Sequence, residues 1–209
     1  ENPINDNTGA IVVAHTSNYR VMGFTHEVDL AELCELAHRH HLPVLHDLGG
    51  GVLVDLREYG LPYEPLVQDS LAAGADVVTF SGDKVLGGPQ SGLIVGKKEW
   101  LQKIHKNPIM RAVRVDKLIY AGLEAPLKHF FSDNGLAAHT TLQRLREPAA
   151  SIRQRVQVWL ESLPASVREA HQFEIVDCYG QVGSGALPLE KLHSSGVAMS
   201  SAALSATEI

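Results

Sequence analysis

An α/β fold built on a parallel-rich sheet is what the sequence predicts, and three observations carry it. Apolar runs of strand length recur at AIVVAHT (residues 10–16), PVLHDL (43–48) and ADVVTF (75–80). Helical periodicity fills the gaps between them, over 29–41 and 64–73. The order strand, helix, strand, helix, strand then marks a parallel sheet with right-handed crossovers.

The first run is continuously apolar, as a strand buried on both faces would be. The polar stretch that leaves it carries Ser17, Asn18, Tyr19 and Arg20 at the carboxyl end of the strand, the edge where open α/β sheets bind ligands. In DLAELCELAHRHH, Leu30, Leu33, Leu36 and Ala37 share a helix face, with Asp29 at the start and His38 to His41 at the end, the charge order a helix dipole favours. The histidine cluster reads as a solvated helix terminus. Pro43 opens the second strand, which ends in His46 and Asp47 ahead of Gly49, Gly50 and Gly51. A carboxylate there needs a cationic partner if it is buried, and otherwise acts as a cap or turn residue. Gly74 stops the second helix before the third strand.

The sequence turns most sharply at TFSGDKVLGGPQSG, residues 79–92, where an apolar run gives way to a lysine among small residues. Two readings of Lys84 stay open at this point. One is a surface hairpin with a solvated lysine. The other is a desolvated amine able to form a Schiff base with an aldehyde cofactor, whose pyridinium nitrogen a carboxylate such as Asp47 would keep protonated. A phosphate-binding P-loop fails on spacing, since Lys84 precedes its glycines and opens no helix.

Residues 97–106 read as a helix carrying Trp100, Leu101 and Ile104, and beyond Pro108 the cations Arg111, Arg114 and Lys117 recur every three residues. On a continuous helix they would share one face, either solvated or binding an oxyanion. Residues 136–163 are helical with a break at Pro148; FEIVDC starts a new strand, GQVGSGALPLE is a loop, and a strand-like start at SSGVAMSS fades into a small-residue tail.

With 209 residues, 44% hydrophobic and 20% charged, the chain suits one domain with a full core, or one domain and part of another, and excludes disorder and fibre. A net charge of -6 argues against broad attraction to nucleic acid while leaving room for a local basic patch. Cys34 and Cys178 are too few for a disulfide framework or a zinc site, so no metal and a reducing compartment are expected. No apolar run has membrane-spanning length and no leader precedes the first strand, which predicts a soluble cytoplasmic protein. The start at Glu1 without methionine reads as that of a fragment.

The blocks HTSNYRVMGFT, HDLGGGVLVDL, YGLPYEP, TFSGDKVLGGPQSGLIVGKK and RAVRVDK resemble the bacterial selenocysteine synthase family, the L-seryl-tRNA(Sec) selenium transferases, within the fold type I pyridoxal-phosphate enzymes. The likeness runs from about Ile11 to the loop at Gly183. It implies a fold type I large domain, in part, followed by the start of a small C-terminal α+β domain: residues 1–135 as the cofactor domain, 136–165 as connecting helices and 166–209 as the beginning of the small domain. It implies pyridoxal 5'-phosphate on Lys84, Asp47 facing the pyridine nitrogen, Ser81 and Asn18 as further cofactor contacts, Asp83 as a catalytic residue, and Arg111 and Arg114 holding the anionic selenium donor. The implied reaction converts L-seryl-tRNA(Sec) to L-selenocysteinyl-tRNA(Sec) through an aminoacrylyl intermediate, with selenophosphate as donor, in a cytoplasmic homo-oligomer. The family's amino-terminal tRNA-binding region and an upstream part of its cofactor domain are not in the sequence. Two other classes share some of these residues: a lyase or transferase acting on a free amino acid, and an inactive fragment of such an enzyme.

Overall fold

The computed structural model describes residues 4–16, 23–24, 26–132, 134–182 and 190–207. Contacts divide the chain into two compact units, which part between Gln143 and Arg144.

In the first unit β1 (Ile11–Ala14), β2 (Val44–Gly49), β3 (Val77–Ser81) and β4 (Gly92–Gly96) form one sheet in that order. The first three strands are parallel, and β4 returns antiparallel to β3 with Ser81 opposite Gly92. The crossovers are the predicted helices. In α1 (Leu30–Arg39), the Asp29 carboxylate caps the first turn by accepting from the Ala31 and Glu32 N–H groups. Cys34 and Ala37 are its buried stripe, packed with Val44, Ile11 and Val13. The short α2 (Val67–Ala72) follows a single turn of 3-10 helix and ends at Gly74, whose φ of 106° suits glycine.

A second cluster on the same sheet face gathers Leu48, Val78 and Phe80 from the strands with Val67 of α2 and Leu123 of α5 (Lys117–His129). Strand alternation then explains an uneven burial. Residues facing these helices are covered, whereas the opposite face leaves Val12 67% and Ile94 39% exposed. The expectation that the first strand is buried on both faces therefore needs correcting: among the described residues its burial alternates, because α1, α2 and α5 all pack on one side. Asp47 and Thr79 stand on the open side.

At the amino edge of the sheet, Asp76 is only 3% exposed and accepts three hydrogen bonds: from Val44 N–H at 2.8 Å, His38 Nε2 at 2.9 Å and Lys97 Nζ at 2.6 Å. Burial works against its ionisation, but these donors outweigh it and hold the carboxyl below its ordinary value. His38, read from the sequence as part of a solvated terminus, is thus a tether between α1 and β3.

After β4 come α3 (Lys98–Lys106), α4 (Ile109–Val113) and α5. The last begins where Asp116 accepts from Leu118 and Ile119 N–H. The short α6 (Gly135–Ala138) and α7 (Thr140–Leu145) follow. In the second unit α8 (Ala149–Ser162) packs on a hairpin of β5 (Gln172–Gly180) and β6 (Leu192–Ser200), with α9 (Ala165–Ala170) leading into β5. The predicted helical break at Pro148 is the start of α8, where a residue without N–H is tolerated.

Candidate active site

Strand direction puts the ends of β1, β2 and β3 on one edge, and the candidate residues follow from that. Asp47 lies on β2 directly opposite Thr79 of β3, and Thr79 Oγ1 donates to Asp47 Oδ1 at 2.7 Å. One carboxylate oxygen is thereby fixed, while Asp47 as a whole is exposed on the open face. Its neighbour His46 points the other way, into the core, where Ser70 gives its hydroxyl hydrogen to Leu66 O and so accepts from His46 Nδ1 at 3.1 Å. Burial, with His15 nearby, lowers the His46 pKa. His15 closes the edge at the end of β1: its backbone N–H donates to Asp47 O at 2.8 Å and its Nε2 meets Glu64 Oε2 at 2.8 Å.

The turn from β2 runs against the end of β3 at Gly51. A Cβ there would stand 2.5 Å from the Ser81 carbonyl oxygen, and φ is 68°, so glycine is required twice over. Beyond Ser81 the chain forms a compact loop. Gly82 N–H donates to Ser91 O at 2.9 Å, Gly88 N–H to Gly82 O at 2.8 Å and Gly87 N–H to Lys84 O at 3.0 Å. Val85 and Leu86, 5% and 1% exposed, pin this loop to the core. His139 is buried and donates from Nε2 to Leu86 O at 3.0 Å, while its Nδ1 faces the Leu142 N–H. Both nitrogens are committed as in a neutral ring, and burial lowers its pKa accordingly.

Lys84 sits on this anchored loop half-buried, so the expected burial of the lysine is only partial. Its ammonium and the Ser81 hydroxyl make no hydrogen bond among the described residues, and Asp83 beside it is exposed. Asp47, Thr79, Ser81 and Arg114 line one cavity of about 1610 Å³, which is also walled by β4, α3 and α5. Lys84, Asp83 and Arg111 do not line it. The cation series is broken as well: α4 ends at Val113, Arg114 caps it in extended conformation, and Lys117 opens α5. Arg111, Arg114 and Lys117 therefore share no single helix face, because Asp116 starts a new helix between the second and the third. Asn18, like Ser17, Tyr19 and Arg20, lies outside the described residues, as do residues 183–189 of the predicted loop.

Thr79 is the functional candidate that sequence reasoning missed, although strand spacing could have paired it with Asp47. Among the described residues no cluster of metal-ligating side chains occurs. The residues present do fit pyridoxal phosphate: an amine on a pinned loop, a carboxylate with one oxygen fixed, an uncommitted hydroxyl and a glycine turn that brings these strand ends together.

The fold is a fold type I pyridoxal-phosphate transferase architecture, with a small β-rich C-terminal extension. Over 99% of the chain and 44% of the other, the structure matches D-glucosaminate-6-phosphate ammonia-lyase with a TM-score of 0.54 at 19% identity, a likeness of fold alone. The chain belongs to the family described as SelA: L-seryl-tRNA selenium transferase, whose family model matches residues 1–209. It is 47% identical over its whole length to the L-seryl-tRNA(Sec) selenium transferase of Alkaliphilus metalliredigens, covering 45% of that protein. It is 48% identical over 88% of its length to that of Carboxydothermus hydrogenoformans, covering 40%. The chain thus spans less than half the length of these relatives.

Proposed function

We propose that the protein to which this chain belongs converts L-seryl-tRNA(Sec) to L-selenocysteinyl-tRNA(Sec) with selenophosphate as donor and pyridoxal phosphate as cofactor, as a cytoplasmic homo-oligomer. The observation that carries this reading is the gathering of Asp47, Ser81 and Arg114 around one cavity at the end of β3, where the Lys84 loop begins, in a chain of this family. Among the described residues no helix is long and apolar enough to cross a membrane. Residues 1–135 form the cofactor-domain portion, 136–165 the connecting helices and 166–209 the start of the small domain; the two compact units part inside the connecting span.

In this reading Lys84 would hold the cofactor aldehyde, and its free amine would take the proton at the seryl Cα. Asp47, with one oxygen fixed by Thr79, would keep the pyridine nitrogen protonated. Ser81 and Asn18 would be further cofactor contacts, Ser81 on the phosphate side. The cofactor, when bound, supplies the electron sink that makes the Cα proton acidic. Asp83 would donate the proton with which the seryl hydroxyl leaves as water. Arg114 and Arg111 hold the donor oxyanion.

Borohydride treatment of the protein with pyridoxal phosphate, followed by peptide mapping, is expected to place a pyridoxyl group on Lys84. A label on Lys97, Lys98 or Lys117 instead would overturn the assignment. The broken cation series makes a second, finer prediction. Two charge-assisted contacts of about 1.5 to 3 kcal/mol each would bind selenophosphate, and only Arg114 faces the cavity. Arg114→Ala is therefore expected to raise the donor KM by about ten- to a hundredfold, with Arg111→Ala weaker and seryl-tRNA binding unchanged. Equal and small effects of both substitutions would move the anion site elsewhere.

A further inference from the structure

Charge is distributed very unevenly along this chain. Residues 1–83 hold three Lys and Arg against thirteen Asp and Glu, whereas residues 84–128 hold nine against three. A protein of net charge -6 therefore carries a concentrated cationic segment, and that segment is α3 to α5. Only two of its cations are in ion pairs among the described residues: Lys97 with Asp76, and Lys128 with Glu124. Lys98, Lys106, Arg111, Arg114 and Lys117 are exposed with no acidic partner, and Lys103 lies over the Trp100 ring at 4.0 Å.

The arrangement within α3 is more specific than the count. Lys98, Gln102, His105 and Lys106 fall at i, i+4, i+7 and i+8, one stripe of the helix, and all four line the large cavity. Leu101 and Ile104, half-buried, flank the stripe and line the cavity too. Lys128 contributes from α5. Lys98 and Lys106 leave unpaired positive charge along one stripe, which complements a ligand with regularly spaced negative charge.

We propose that the α3 wall of this cavity, Lys98, His105 and Lys106 with Lys128 from α5, binds the phosphate backbone of a single-stranded RNA end. The inference rests on the seryl-tRNA reading and deepens it, since the aminoacylated end of that substrate is single-stranded and must reach the edge that bears Asp47 and Ser81. Lys98 and Lys106 are eight residues apart, a rise of about 12 Å. That length exceeds the spacing of successive phosphates along a strand, so the two lysines can meet different phosphates. Gln102 and the ring of His105 add hydrogen-bonding groups between the two lysines. The contacts carry no base readout, so affinity rather than sequence preference is their contribution.

The test is fluorescence anisotropy of the intact protein with a labelled hairpin RNA bearing a single-stranded 3' end, read across a salt series. The pair Lys98→Gln with Lys106→Gln is expected to weaken binding about tenfold near physiological salt and to flatten the log-log salt slope by about 1.4, or about 0.7 per lost cation. Lys103→Gln, which removes one charge off the stripe, is expected to leave the slope nearly unchanged rather than flatten it by the roughly 0.7 of a lost phosphate contact. An unchanged slope in the double variant, an equal effect of Lys103→Gln, or no RNA binding by the unsubstituted protein at low salt would each overturn the proposal. A shift in sedimentation without a change in RNA affinity would also overturn it, marking the stripe as a contact with the acidic part of a second copy. Borohydride labelling of Lys84 in the same samples separates the two ideas: loss of the Lys84 label defeats the enzymatic reading, and loss of the salt-slope difference defeats only this surface.

Discussion

Asp47→Asn is expected to lower turnover of the full-length enzyme by about a hundred- to a thousandfold while leaving the fold intact. The size follows from what is removed. A carboxylate facing a pyridine nitrogen keeps a positive charge on the ring, and losing one preorganised electrostatic partner of this kind costs about 2.7 to 4 kcal/mol. The preserved fold follows from the geometry. The substituted amide would retain a side-chain oxygen to accept the Thr79 hydroxyl, which now donates to Asp47 Oδ1 at 2.7 Å, and the site is exposed, so no buried group is orphaned. Melting temperature and single-turnover rates of the two proteins, compared side by side, check both halves. Turnover within threefold of the original would show that the carboxylate is structural. A collapse in melting temperature would show that the Asp47–Thr79 link carries the strand ends instead.

The parallel order and the helix positions were legible because periodicity and caps are local: Asp29 caps α1 and Gly74 ends α2 as their residue types require. The positions of Asp47 and Lys84 at strand ends were legible for the same reason, each standing where an apolar run stops. What was not legible depends on pairing. Thr79 gains its meaning only from the register that sets it opposite Asp47. His38 looks like surface charge until β3 brings Asp76 beneath it. The uniform apolarity of AIVVA implies cover on both faces, yet the described helices cover one, so the exposure of Val12 could not be read from the run itself. Three-residue spacing likewise suggested one face for Arg111, Arg114 and Lys117, and the helix start at Asp116 broke it.

The other large effect is expected at Asp76, far from the chemistry. It lies at the amino edge of the sheet, where its carboxylate joins the end of α1 through His38, the start of β2 through Val44 N–H and the entrance to α3 through Lys97. Gly96 leaves space for this junction, since a Cβ there would clash with the Asp76 carbonyl. Asp76→Ala strands the Val44 N–H, whereas the His38 and Lys97 side chains, 39% and 49% exposed, can turn to water. An orphaned buried donor costs about 1 to 3 kcal/mol, and the lost charge-assisted bonds, discounted for that exposure, add about one more. A total near 3 kcal/mol would lower the melting temperature by roughly 6 to 12 °C for a chain of this size. Asp76→Asn keeps an acceptor for Val44 and is expected to cost about half as much. The pH dependence has a definite sign: the folded carboxyl is held below the ordinary value of 3.8, so its stabilisation is present above that pH and is lost as pH falls through the folded value. Denaturant unfolding of the original protein and Asp76→Ala should therefore differ fully at pH 7 and differ by less as pH falls below 3.8, the part that remains being the orphaned Val44 N–H, for which a neutral carboxyl is still an acceptor. A gap that stays constant down to pH 3 would mean that packing, rather than the ionised carboxylate, holds this corner of the sheet.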